Sequence, residues 1–189
     1  MLHIPDKFKD KRTTTKKFKQ DLYSFILEKK VRTVLEIGCY YGYTAYVLAP
    51  LLKTITCVDI DPDCIDNAKN NNKGSKNIYY RNENVYKTIW TYGYHDLVLL
   101  DCGHSEEHII SDINNTLTHI KPKFIAFDDY GLFPEVRKVV DTNVKEGALS
   151  IIRKMGYGPG TLFSMSTDPN TVPNKILEEY EGVICKCIL

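Results

Sequence analysis

The sequence predicts one α/β domain: a doubly wound, mostly parallel sheet of seven strands, with helices on both faces and an antiparallel strand near the C-terminus. Three observations carry this. Short apolar runs recur without polar alternation, the composition of strands buried on both faces. Longer amphipathic stretches separate them, as crossover helices do. The length of 189 residues, with 43% apolar and 26% charged residues, fits a single soluble domain and excludes a disordered chain, a collagen-like repeat or a disulfide scaffold.

The elements follow in chain order. Residues 18–30 place Phe18, Leu22, Phe25 and Ile26 on one helical face. Thr33–Ile37 reads as a buried strand, followed by the Gly38–Gly42 turn and a helix over Tyr43–Leu52. Thr54–Ile60 is a second strand, and Asp61-Pro62-Asp63 opens a helix with proline in its first turn. Ile78–Tyr80 begins a third strand and Asp96–Asp101 is a fourth. Ser105 caps a helix running to Ile120, with Glu106 and Glu107 in its first turn. Phe124–Phe127 is a fifth strand and Pro134–Val144 a helix. Ala148–Ile152 and Gly182–Ile188 close the sheet, separated by about 30 residues rich in Gly, Pro, Ser and Thr that read as a loop. The whole chain, 1–189, is taken as one domain: a basic helical segment over 1–32, a core over 33–145, and closing strands with a substrate loop over 146–189.

Charge is unevenly spread. Residues 1–33 hold ten Lys/Arg against four acids, a balance of +6, so the remainder carries −5 of the total +1. A basic arm can dock phosphates, but no RNA-binding motif accompanies it, and a solvated first helix is the favoured reading. No run reaches the roughly 20 apolar residues that span a bilayer, and the N-terminus lacks the apolar stretch of a secretory signal; a cytoplasmic location is expected. The six cysteines, Cys39, Cys57, Cys64, Cys102, Cys185 and Cys187, show no zinc-site spacing and read as small buried hydrophobes.

Open α/β sheets bind ligands at the carboxyl ends of their strands. The first such end is Glu36-Ile37-Gly38-Cys39-Tyr40-Tyr41-Gly42. Two glycines permit a tight turn, but the dinucleotide fingerprint is missing, and the carboxylate of Glu36 repels phosphate while suiting a cation. The second strand ends in Asp59, 21 residues after Gly38, where an acid accepts the hydroxyls of a ribose. The pair points to a cationic nucleoside without phosphates, which S-adenosylmethionine is. These residues, VLEIGCYYGYTAYVLA (34–49) and CVDIDPDCI (57–65), resemble the first two motifs of class I S-adenosylmethionine-dependent methyltransferases, a Rossmann-like fold. Within these, metal-dependent O-methyltransferases of the catechol type are the nearest likeness, over roughly residues 33–145. The resemblance implies that Glu36, Gly38, Tyr40, Gly42, Tyr43 and Thr44 line the methionine end of the cofactor. It also implies that Asp59 holds the ribose, Ile60 packs on the adenine, and Asn82 and Asn84 flank the adenine edge. Tyr40 departs from the glycine of many class I members, as the catechol-type variant does.

Two further strand ends carry Asp101 and the pair Asp128-Asp129. On neighbouring strands these acids stand about 5 Å apart, and carboxylates that close repel unless a cation joins them. A hard divalent ion, Mg²⁺ above all, accepts such oxygen ligands and lowers the pKa of a chelated hydroxyl. His104, three residues past Asp101, is the candidate general base. The set resembles the metal-and-base pattern of macrolide-sugar O-methyltransferases; on that resemblance Asp101, Asp128 and Asp129 bind the metal, and His104 takes the proton. Catechol-type enzymes carry Asp-Asn and a lysine instead, so a sugar or other aliphatic diol is favoured.

His108 and His119 read as structural or solvent-facing, His95 as remote from the chemistry, and Arg137 as either surface charge or a substrate contact. Tyr157 and Phe163 are read as wall residues of a mobile cover over the acceptor. The expectation is Mg²⁺-dependent methyl transfer to a hydroxyl of a small acceptor. Competing classes are a catechol or phenol O-methyltransferase, an RNA-directed enzyme using the basic arm, and a binding module without catalysis. A homodimer stays open, and no membrane partner is expected.

Overall fold

The computed structural model describes residues 13–163, 174–175 and 179–188. Elements run α1 (Lys16–Lys29), β1 (Thr33–Ile37), α2 (Tyr43–Leu48), β2 (Thr54–Asp59), α3 (Pro62–Asn71), β3 (Ile78–Asn82), β4 (Leu97–Leu100), α4 (Glu106–Asn115), β5 (Phe124–Phe127), α5 (Pro134–Lys145), β6 (Leu149–Met155), β7 (Leu162–Phe163), β8 (Asn174–Lys175) and β9 (Gly182–Cys187). The main sheet has seven strands in the order β3-β2-β1-β4-β5-β9-β6, and β7 pairs with β8 as a separate small ladder. Neighbours from β3 to β5 pair in parallel; β9 inserts between β5 and β6 and runs antiparallel to both. The expected doubly wound sheet with one reversed strand is the observed one.

Each face is covered. Phe18, Leu22 and Phe25 of α1 pack with Leu48 and Ile65 over one side. Ile109, Ile113, Val136 and Val140, from α4 and α5, cover the other. The strands are apolar at nearly every position because both of their faces lie under helices. All six cysteines are free thiols, five of them buried.

Some boundaries differ from the sequence expectation, each for a local reason. α2 stops at Leu48 and a 3₁₀ turn covers Ala49–Leu51, since Pro50 has no N–H to continue the α pattern. The helix expected to reach Ile120 leaves α geometry after Asn115 and finishes in a π turn over Thr116–Ile120. β6 runs on to Met155 because β9 offers it a partner as far as Gly182. The first helix corrects a larger expectation. It is not wholly solvated: Thr15 caps it through Phe18 N–H, and Lys19 is only 2% exposed. Lys7, Lys9, Lys11 and Arg12 of the basic arm lie outside the described residues, as do the side chain of Phe163 and the 164–173 part of the loop.

Strand order places the site. The chain moves from β1 outward through β2 to β3, then returns to the other side of β1 at β4. The carboxyl ends of β1 and β4 therefore border the switch point, where such sheets open a crevice.

Candidate active site

The turn leaving β1 is shaped by Gly38 and Gly42. Gly38 has φ of +86°, its N–H donates to Val58 O at 2.9 Å, and a Cβ there would stand 1.8 Å from the carbonyl oxygen of Asp101. Gly42 has φ of +71° and begins α2 against Ala68 of α3. Between them Tyr40 also takes a left-handed φ, 46°, which disfavours a bulky side chain. It is held by its N–H donating to Asp59 Oδ2 at 2.8 Å and by stacking on Tyr41 with ring centroids 3.9 Å apart. That geometry explains why glycine suits the position in related turns and shows what retains a tyrosine here.

Above this turn lies a cavity of about 370 Å³, within the range of small-molecule sites. Glu36, Gly38, Tyr40 and Thr44 line it, as do Asp59, Ile60 and Asn84. Asp59 accepts N–H groups from Tyr40 and Asp61 on separate oxygens, and each oxygen keeps a lone pair for a hydroxyl donor. Ile60 is 62% exposed beside it, an apolar surface suited to the face of a base. Glu36 is 1% exposed and accepts from the Cys57 thiol; burial and then the charge of Asp101 push its carboxyl up to about 8. Gly42, Tyr43 and Asn82, also expected to line the cofactor site, are not among the residues that line the cavity. Tyr43 is buried edge-on against Tyr40 and Tyr41, and Asn82 donates to the carbonyls of Asp59 and Ile60, holding the end of β2. Glu83, Val85, Tyr86, Cys102 and Gly103 also line the cavity; they lie just past strand ends the sequence had marked, but carry no motif.

The strand-end acids converge. Leu100 of β4 pairs with Phe127 of β5, so Asp101 and Asp128 leave the sheet side by side, with Asp129 next to them at φ of 60°. Ligand atoms of Asp101, Asp128 and Asp129 all lie within 4.8 Å of one another. Ligands about 2.1 Å from Mg²⁺ span at most about 4.2 Å across the ion, so the group fits such a cation with slight inward movement. Asp128 is 6% exposed and its Oδ1 has no hydrogen-bond partner among the described residues, a demand that a cation or a donor must meet. Burial and the neighbouring carboxylates push both Asp101 and Asp128 above the usual carboxylate range.

His104 closes this edge. Its Nε2 lies 2.8 Å from Asp129 Oδ2 and its ring stacks on Phe133 at 4.1 Å. Burial pulls its pKa down, but the Asp129 hydrogen bond and the charges of Asp129 and Asp101 outweigh that and leave it raised. Two charged residues near the cluster were not marked by sequence. Glu181, 2% exposed at the start of β9, accepts from the N–H and hydroxyl of Thr15 at 2.8 and 2.5 Å. Lys19 donates to Thr14 O and Thr13 Oγ1; burial lowers its pKa while Asp128, Asp101, Glu181 and Glu36 oppose the fall. Of the other candidates, His108 stacks on Tyr86, His95 approaches Thr56 Oγ1, and Tyr157 is 43% exposed.

Solved structures share this fold. An O-methyltransferase from Bacillus cereus in complex with SAH superposes with a TM-score of 0.67 at 14% identity, covering 98% of this chain and 84% of that one. N-methyltransferase NodS from Bradyrhizobium japonicum WM9, also in complex with S-adenosyl-l-homocysteine, gives 0.65 at 19% identity, covering 98% and 93%. Ribosomal protein L11 methylase from Lactobacillus delbrueckii subsp. bulgaricus gives 0.61 at 17% identity, covering 90% and 79%. At such identities the likeness is one of fold, and the three proteins are named for different kinds of methyl acceptor. No curated protein sequence matches the chain. Independently of any superposition, the sequence matches the family model described as a methyltransferase domain over residues 35–130, half of its length, and the chain belongs to that family.

Proposed function

We propose that this methyltransferase moves the methyl group of S-adenosylmethionine to a hydroxyl of a small acceptor, a sugar diol above a catechol, with Mg²⁺ at Asp101, Asp128 and Asp129. The observation that carries this reading is the convergence of those carboxylates within 4.8 Å, with His104 paired to Asp129, on the sheet edge that also bounds the cavity. When bound, the cation supplies Lewis acidity to a chelated hydroxyl, and the nucleoside supplies the methyl group.

The chain's own residues supply binding and orientation. Glu36 offers a buried carboxylate to a ligand ammonium, and Asp59 offers two acceptor oxygens to ribose hydroxyls. Asp101 belongs to both places: it lines the cavity and joins the carboxylate cluster. That brings donor and acceptor to adjoining positions, the main contribution a scaffold makes to a displacement between two bound molecules. Because His104 Nε2 faces Asp129, Nδ1 is the ring nitrogen left to receive the hydroxyl proton, and Phe133 holds the ring in plane. Aspartate at 129 and histidine at 104, where catechol-type enzymes carry asparagine and a lysine, favour the aliphatic diol.

The test is methyl transfer across a panel of sugar, catechol and simple diol acceptors, with and without chelator. Transfer is expected to stop with chelator and return with Mg²⁺. Asp128→Asn is expected to weaken divalent-ion affinity while leaving S-adenosylhomocysteine affinity unchanged. His104→Ala is expected to lower kcat by about 10²–10⁴-fold. Transfer indifferent to chelator overturns the metal assignment, and an unchanged rate in His104→Ala removes the base.

A further inference from the structure

A buried polar network lies between the cavity and the carboxylate cluster, and nothing in the proposed reaction uses it. Its centre is Asp112 on α4, 2% exposed. Asp112 Oδ2 accepts from the Tyr86 hydroxyl at 3.3 Å and from the Cys102 thiol at 3.2 Å. The Tyr86 oxygen in turn accepts the Gly103 N–H at 3.2 Å. Tyr86, Cys102 and Gly103 are wall residues of the 370 Å³ cavity, so this oxygen of Asp112 fixes that wall from behind.

The other oxygen is the informative one. Asp112 Oδ1 is buried and has no partner among the described residues, and the same is true of Asp128 Oδ1. Both residues line one small space of about 20 Å³ where α4 and α5 meet the ends of β4 and β5. Its remaining walls include the hydrocarbon of Leu100, Ile109, Phe127 and Val136, which offers no donor, and Cys102, Gly103 and His104, whose hydrogen bonds run to Asp112 Oδ2, the Tyr86 oxygen and Asp129. Two buried, unpartnered carboxylate oxygens on residues that share one space call for a species with two donors. A water brings two O–H groups and needs only about 10–15 Å³ of such volume. It also serves if Asp128 is protonated, accepting from that carboxyl and donating to Asp112.

We propose that Asp112 is a positioning residue, and that one water held between its Oδ1 and Oδ1 of Asp128 ties the Tyr86–Cys102 wall of the cavity to the carboxylate cluster. Asp112 touches neither reacting group. It acts by fixing Tyr86 and Cys102 on one side and the rotamer of Asp128 on the other, as outer partners of ligating carboxylates do. Burial lifts Asp112 to about 6, against the hydrogen bonds of Cys102 and Tyr86; at neutral pH it is mostly ionised and requires the donors described.

The catalytic part of this inference rests on the cluster being the reaction centre, so the experiment has readouts independent of that. A crystal structure of the wild-type protein with S-adenosylhomocysteine is expected to show solvent density within hydrogen-bond distance of both Oδ1 atoms. Asp112→Leu removes both functions and is expected to weaken S-adenosylhomocysteine binding about tenfold by calorimetry, the loss expected for one or two hydrogen bonds. Asp112→Asn keeps an acceptor for Tyr86 and Cys102 and is expected to hold that affinity within about threefold while kcat falls about 10–100-fold. Combined with Asp128→Asn, its effect on kcat is expected to be less than additive. A dry cavity, or Asp112→Asn with wild-type kcat, overturns the bridge. If Asp112→Leu does not fold, the density and the asparagine variant still decide. If wild-type protein binds no divalent ion, the metal assignment falls, while the density and the nucleoside affinities continue to judge Asp112.

Discussion

Glu36 shows what burial does to a single side chain. It registers between Cys57 of β2 and Leu99 of β4, under helices on both faces, and its carboxyl is pushed up to about 8 by burial and then by Asp101. At pH 7 it is therefore mostly protonated in the ligand-free protein. An ammonium brought beside it favours the carboxylate, so ligand binding expels the proton. Calorimetry of S-adenosylhomocysteine binding at pH 7, in two buffers of different ionisation enthalpy, is expected to show release of up to about one proton, fading above pH 9. Glu36→Gln is expected to abolish the release, and a buffer-independent enthalpy in the wild type sinks the assignment. The residue itself was legible in sequence because it precedes a glycine turn at a strand end, and Asp59, Asp101, Asp128 and Asp129 were legible in the same way. Lys19 and Asp112 were not. Both fall on buried stripes, Lys19 with Leu22 and Ile26, and Asp112 with Ile109, Ile113 and Thr116. The spacing was visible, but a charge on an apolar stripe reads as solvated until the polar partners that face it are known, and those come from distant segments.

At the scale of elements, α1 is more than cover for the sheet. Thr15 accepts Phe18 N–H at its N-terminus and donates its hydroxyl to Glu181, 166 residues on, so the cap and the start of β9 share one side chain. Thr15→Ala removes a cap of about 1 kcal/mol and leaves a buried carboxylate one donor short, a further 1–3 kcal/mol or so. Thermal unfolding is expected to fall by about 5–10 °C for a chain of this size, with Thr15→Ser retaining most of the stability. Equal losses in the two variants argue against the shared hydroxyl. Local signals located such caps well: Ser105 accepts His108 N–H and Asp61 accepts Asp63 N–H, each where the sequence placed it. The partner across the molecule was not legible, and neither was the place of β9 between β5 and β6. Strand order depends on which edges meet after the helices pack, and Gly182–Cys187 would read identically at the end of the sheet.

The whole molecule sets acids at opposite ends of one sheet, and their pKa values move in opposite directions. At the carboxyl edge, Glu36, Asp101 and Asp128 are raised. At the amino edge, Asp96 accepts from Arg32 N–H at 2.9 Å, Thr33 N–H at 3.2 Å, Tyr94 at 3.0 Å and Lys123 at 3.0 Å, tying β1 to the segment before β5. Burial opposes its ionisation, but the Arg32 N–H, Lys123 and Tyr94 outweigh that and hold it at about 2. A depressed acid stabilises the fold above its unfolded pKa, and that contribution, roughly 2 kcal/mol, is lost as pH falls from about 4 to about 2. A raised acid does the reverse. Glu36 costs nothing below about 4.5, and its penalty grows as pH climbs and is complete above about 8. The site edge thus gives up stability at neutral pH that the opposite edge helps to supply, as functional edges commonly do. Ligand-free protein is therefore expected to melt higher near pH 5 than near pH 8 in a scan of Tm against pH. Glu36→Gln is expected to make the alkaline limb shallower, the remainder belonging to Asp101 and Asp128, and Asp96→Asn to lower Tm at pH 5 and flatten the acid limb. S-adenosylhomocysteine with Mg²⁺ is expected to raise the alkaline side most, because bound cations favour the carboxylates that burial disfavours. A wild-type profile level from pH 5 to 8, or an alkaline limb untouched in Glu36→Gln, rules out this division of charge between the two edges.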